Sequence, residues 1–226
     1  MSNETVSDIL TELGTLDDPK RRAVNERHGD DHGVNLSDIR AMAKRIKPNQ
    51  ELSKELWSTD NTAARLVALL ICKPEEFSEA ELDAMLRQAR ARKPHDWFIN
   101  YVVKKSKRAD SLRQRWLDDS NPVVASAGWA LTQSMIAKRS DELDLPALLD
   151  VIEAQMKDAP DRLQWEMNNT LAEIGIQHQV HRARALEIGE RLEVLKDYPT
   201  PPNCTSPYAP IWITAMVSRR EQAATN

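Results

Sequence analysis

His95, Asp96 and Trp97 follow one another, and Asn100, Tyr101, Lys104 and Lys105 come one to two helical turns later. A carboxylate placed at a helix start is kept ionised at pH 7 by the helix N-terminus and by neighbouring cations. In a basic stretch such a group makes sense if a positive charge has to be stabilised or a water oriented. The competing reading is plainer: Asp96 is an N-cap and does no chemistry.

Two other constellations say less. His28-Gly29-Asp30-Asp31-His32 spaces its imidazoles four apart, which on a helix would suit a metal. Gly29 and Gly33 argue against a helix, so the segment reads as a loop with capping hydrogen bonds just ahead of the helix at Asn35. Cys204 lies in the proline-rich run Tyr198 to Trp212, with no nucleophile elbow and no Gly-x-Ser-x-Gly anywhere in the chain. Hydrolase triads are therefore set aside, and neither a metal nor an organic cofactor is expected.

The charge is segregated. Net charge is −4, yet between Met85 and Trp116 ten basic residues face only Asp96 and Asp110, a local +8 that leaves −12 for the rest of the chain. An acidic protein with one strongly positive segment can attract phosphate to one face and repel it elsewhere. A solvated helical face of screened arginines is the alternative.

The elements that must position these groups are helical. Leu36, Ile39, Ala43 and Ile46 make one apolar stripe behind a cap at Asn35 or Ser37, while Arg40 and Lys44 fall on a basic stripe. Further helices are predicted near Gln50 to Trp57, Asn61 to Ile71, Ser78 to Ala91, Asp96 to Lys105, Ser111 to Trp116, Val123 to Ala137, Leu145 to Met156, Leu163 to Ile174 and Val180 to Leu195. Breaks at Asp60-Asn61, Pro94-His95-Asp96, Ser120-Asn121-Pro122 and Pro160-Asp161 each end one helix and cap the next. Their spacing of about 25 to 40 residues fits a helix-turn-helix solenoid of the HEAT type, with an ordinary helix bundle as the alternative. The helices that follow those breaks carry Trp97, Trp129 and Trp165, and on a concave basic surface such rings would lie against sugar or base. Plain core packing is the other reading for each of the three.

Composition excludes much. Six glycines in 226 residues are too few for glycine-rich phosphate loops or an all-β fold, and no apolar run approaches a membrane span. Two cysteines give no disulfide framework, and the start Met-Ser-Asn-Glu-Thr-Val has no secretory character. The expectation is a cytoplasmic, all-α protein with reduced thiols. It is read as a single curved domain over residues 1–226, with residues 1–19 as a leader helix and 197–226 as a closing segment.

Several of these residues carry a family resemblance. Gly33 to Lys44, Leu56-Trp57 followed by Ala63-Ala64-Arg65-Leu66, His95-Asp96-Trp97 to Val103, Ala127-Gly128-Trp129-Ala130-Leu131, and the run Cys204 to Trp212 together resemble the DNA alkylation repair family of HEAT-like DNA glycosylases. The likeness runs from about Lys20 to Trp212. It implies antiparallel helix pairs stacked around a basic concave cleft that grips duplex DNA. It also implies excision of N3- and N7-alkylated purines, with an aspartate stabilising the sugar's oxocarbenium charge and orienting water. That aspartate falls on Asp96, the candidate catalytic residue. The family's tryptophan one turn earlier is replaced by Arg92, its arginine after Asn121 by Ser126, and a later tryptophan by Asn169. Candidate DNA-binding residues are Arg40, Lys44, Arg92, His95, Trp97, Asn100, Lys104, Lys105, Lys107, Arg108, Trp129, Trp165 and Asn169. The alternative is a non-catalytic HEAT-like scaffold for DNA structures or a protein partner.

Overall fold

The computed structural model describes residues 4–225, with side chains through residue 223. Among these residues there are thirteen α-helices and no strand, in two compact units, one running to Ala109 and the other starting at Asp110. No described helix is long and apolar enough to cross a membrane.

The first unit contains α1 (Val6–Leu16), α2 (Pro19–Glu26), α3 (Leu36–Ile46), α4 (Gln50–Ser58), α5 (Thr62–Ile71), α6 (Glu79–Gln88) and the short α7 (Arg92–Trp97). Helix α1 falls within the expected leader, of which residues 1–3 lie outside the described residues. The apolar stripe of α3 turns inward as its spacing requires: Ile39, Ala43 and Ile46 are buried, together with Met42. Asn35 is the cap, accepting from the Ser37 amide at 3.2 Å.

Helix α5 is buried along nearly its whole length and packs against α3, α4 and α7. Its one cation, Arg65, is buried and makes a structural hub. The guanidinium lies 4.9 Å from the Trp57 ring centre, donates to the carbonyls of Trp57 and Gln88 at 3.0 Å each, and meets Asp60 at 2.6 Å. A buried charge is tolerated when it is paired and its donors are used. The segments Leu56-Trp57 and Ala63 to Leu66 are thus framework.

The second unit contains α8 (Ala109–Leu117), α9 (Pro122–Ile136), α10 (Leu145–Gln155), α11 (Asp161–Gln177), α12 (Gln179–Leu192) and α13 (Ala209–Thr225). Helix α11 packs against α9, α12 and α13 around Leu149, Ile152, Leu171, Ile174 and Ile213. Asn121 caps α9, with Pro122 in the first turn where its missing N–H costs nothing.

Two helices lie outside the segments read as helical. The run from Cys204 reads as irregular, but Ala209 onward is the 17-residue helix α13. Pro210 sits in its first turn, a place that favours proline, so it starts the helix instead of preventing it. Helix α2 has no buried residue and no apolar stripe for periodicity to find.

Candidate nucleic-acid interface

Helix α7 starts earlier than expected, at Arg92, so Asp96 is its fifth residue and not its cap. Pro94 causes the difference: it occupies the third helical position, where proline is accepted, and does not mark the boundary. The electrostatic help of a helix N-terminus is therefore not what holds Asp96.

The cap residue Ala91 has no side-chain oxygen to satisfy the first amides, and a distant loop does so. The carbonyl of Gly29 accepts from the Arg92 amide at 3.1 Å, and the Asp30 carboxylate accepts from the Lys93 amide at 2.6 Å. Pro94 has no N–H to satisfy. Gly29 adopts φ 84°, the left-handed region that favours glycine. Asp17 accepts from the Gly33 amide at 3.0 Å and is bound by Arg22 at 2.6 Å, pinning the other end of the loop. The guanidinium of Arg22 holds the Asp17 carboxyl below the usual carboxylate range. The His28–His32 segment is a loop with capping bonds, as read, but the helix it caps is α7.

After Trp97 the backbone widens into a π-helical turn over Phe98–Val102, then tightens into a 3₁₀ turn over Val103–Lys105. Such insertions recur at functional sites. Side chains four apart line up in two rows.

In the first row Arg92 Nε lies 3.8 Å from an Asp96 oxygen, Asn100 Nδ2 donates to the Asp96 carbonyl at 2.8 Å, and Lys104 donates to Asn100 Oδ1 at 2.8 Å. The Asp96 side chain is 46% exposed. Its other oxygen lies 3.4 Å from Nδ1 of buried His95, which donates in the tautomer that carries its proton there.

The second row is aromatic and cationic. Trp97 meets Tyr101 edge to face at 5.2 Å, Lys105 lies 5.8 Å from the Tyr101 ring centre, and Arg40 of α3 lies 4.8 Å from that of Trp97. Trp97 is only 8% exposed, so it presents Arg40 more than it presents itself. Arg40 is exposed, as are Lys44 one turn along α3 and Lys104, Lys105 and Lys107; Arg108 is half-buried.

The remaining candidates belong to the second unit and are described there. Trp129 is buried in the core. Ser126 is buried too and turns its hydroxyl back to the Val123 carbonyl at 2.7 Å. Trp165 and Asn169 of α11 line an open cavity of about 330 Å³ with Tyr198, Cys204 and Trp212. Tyr198 and Trp212 join the candidate site residues, having been named from sequence only as the ends of the proline-rich closing run. The only hint was their position flanking a run of prolines.

Compared with known proteins, residues 9–213 match the family model described as DNA alkylation repair enzyme. No curated protein matches the chain. A solved structure described as belonging to "a new family of proteins related to the HEAT-like repeat DNA glycosylases with affinity for branched DNA structures" matches with a TM-score of 0.75 at 22% identity, covering 96% of this chain and 95% of that one. At that identity the likeness shows the fold, a HEAT-like helical repeat.

Proposed function

The chain belongs to the DNA alkylation repair enzyme family, and from that premise we propose that it binds duplex DNA through Arg40, Lys44, Lys104 and Lys105, with Asp96 as the catalytic residue for release of N3- or N7-alkylated purines. The observation that carries this reading is the pairing of the two rows. Lys104 shares a row with a half-exposed carboxylate approached by Arg92 and His95, its backbone carbonyl is held by Asn100, and Arg40 and Lys105 sit on the rings of the neighbouring row. Phosphate contacts supply affinity and position the duplex.

An alkylated purine is already cationic. When its bond to the sugar C1′ breaks, the bonding electrons leave with the base, which becomes neutral, and the positive charge passes to the sugar. A preorganised carboxylate stabilises that charge and orients the water that adds to C1′ with loss of a proton.

A second reading, binding without base release, is favoured by Arg92. This cation stands beside Asp96 where the family resemblance places a tryptophan, and it partly neutralises the charge on which the chemistry depends. The affinity for branched DNA ascribed to the structural neighbour agrees with it.

The deciding experiment incubates enzyme in excess with duplex DNA containing 7-methylguanine and measures free base. Release by the native chain that is lost in Asp96→Asn supports catalysis. Binding with no release establishes the second reading, and release unaffected by the substitution removes Asp96 from the mechanism.

A further inference from the structure

The cavity of the second unit is built differently from the charged surface around Asp96. Trp165 and Tyr198 meet at 5.2 Å with their planes 62° apart, and Trp212 adds a third ring. Asn169 brings to the wall a carboxamide, one N–H of which donates to the Glu166 carboxylate at 3.4 Å while the group keeps a second N–H and its oxygen, and Pro207 closes the wall. The volume of about 330 Å³ lies at the lower end of the range for small-molecule sites, the size of one ring system and its substituents.

The wall is preorganised. Pro199, Pro201 and Pro207 fix their own φ angles, and Asn168 ties the segment to α11 by donating to the Pro207 carbonyl at 2.8 Å. A rigid wall loses little freedom when a ligand enters. On the Thr205 side Arg219 of α13 is exposed and donates to the Thr205 hydroxyl at 3.2 Å, setting a cation beside the cavity.

Rings that can stack, a carboxamide that can read a base edge and a cation for phosphate are the elements of single-nucleotide recognition. We infer that this cavity holds one unpaired nucleobase of a DNA ligand, lying against the Trp165–Tyr198 pair with its face on one ring and its edge toward the other, with Asn169 on its hydrogen-bonding edge and Arg219 on its phosphate. The inference rests on the DNA-binding reading above and adds a substrate class to it: DNA with a base out of its pair, as at a bulge or branch point.

Cys204 supplies a probe of occupancy. It is exposed on the cavity wall, whereas Cys72 is buried with its thiol pushed up to about 12 by desolvation, which makes it an internal control. The full chain is treated with iodoacetamide at about pH 8, with a fully paired duplex or with the same duplex carrying one bulged base, and modification is followed by mass spectrometry.

The bulged duplex is expected to slow alkylation of Cys204 roughly tenfold more than the paired one, with Cys72 unmodified throughout. Tyr198→Ala, at a residue 43% exposed and so tolerant of truncation, is expected to cut the binding preference for bulged over paired DNA by roughly tenfold. Asn169→Ala is expected to lower the same ratio. Equal protection of Cys204 by both duplexes, or a preference that survives Tyr198→Ala, overturns the inference while leaving DNA binding in place. Binding of neither duplex overturns the underlying reading as well.

Discussion

The Asp30 carboxylate accepts the backbone N–H of Lys93 at 2.6 Å across 63 residues of chain, so the helix that carries Asp96 is capped from outside itself. Asp30 is buried, and removing it leaves that amide without its partner. Asp30→Ala is expected to lower stability by about 1–3 kcal/mol, read as a fall in the urea midpoint, while Asp30→Asn, which keeps an acceptor oxygen, retains most of it. An unchanged midpoint in the alanine variant would deny the cap any energetic role.

This contact also marks where sequence reasoning stops. Asn61 and Asn121 could be recognised as caps because the amides they accept from, Ala64 and Val123, lie within three residues. The buried stripe of α3 follows from spacing alone. Asp30 has no such local signature, since its partner is fixed only by the tertiary fold. Arg40 and Trp97 were both singled out, yet their stacking joins α3 to α7 and no pattern in either segment predicts it. Trp129 and Trp165 look alike in sequence, and only packing sends one into the core and the other to the wall of a cavity.

His32 makes acid pH destabilising. Its ring is 2% exposed, and neither nitrogen has a hydrogen-bond partner. Burial pushes its pKa below the ordinary value, outweighing the opposing pull of Asp30, Asp31 and Asp17, and Lys93 pushes the same way as burial. Above about pH 6.5 the ring is neutral folded or unfolded and nothing is lost. As pH falls through that value the unfolded chain takes a proton that the folded one resists, so stability declines until the folded pKa is reached. His32→Leu is expected to shrink the loss of urea midpoint between about pH 7.5 and 5, a window above the range where carboxylates titrate. An equal loss in both proteins would show that the burial of His32 has no bearing on it.

Arg40 should contribute to DNA binding through charge. Its guanidinium is held over Trp97, so less freedom is lost when it meets a phosphate than for an unsupported side chain. Each phosphate contact contributes about 0.9 to the slope of log affinity against log salt. Arg40→Ala is expected to flatten that slope by about 1 on duplex DNA, and Arg40→Ala with Lys105→Ala by about 2, measured by anisotropy over roughly 50 to 200 mM salt. A parallel line for the double variant would take this surface out of the interface.

Two helical glycines should respond to alanine with opposite signs. In α1, a Cβ at Gly14 would meet nothing within 4 Å, so Gly14→Ala brings only the helix preference of alanine and is expected to raise stability by about 0.5–1 kcal/mol. In α9, a Cβ at Gly128 would stand 2.5 Å from the Leu117 amide nitrogen, 2.7 Å from its Cα and 2.9 Å from the Trp116 carbonyl carbon. All three are backbone atoms of α8 and cannot rotate aside. Relief requires moving α8, which carries the fully buried Trp116. That displacement outweighs the same gain in helix preference, and Gly128→Ala is expected to destabilise by about 1–3 kcal/mol or more. Thermal melts of the two variants should shift in opposite directions from the native chain. If Gly128→Ala instead melts higher, α8 and α9 are not in the close backbone contact described for them.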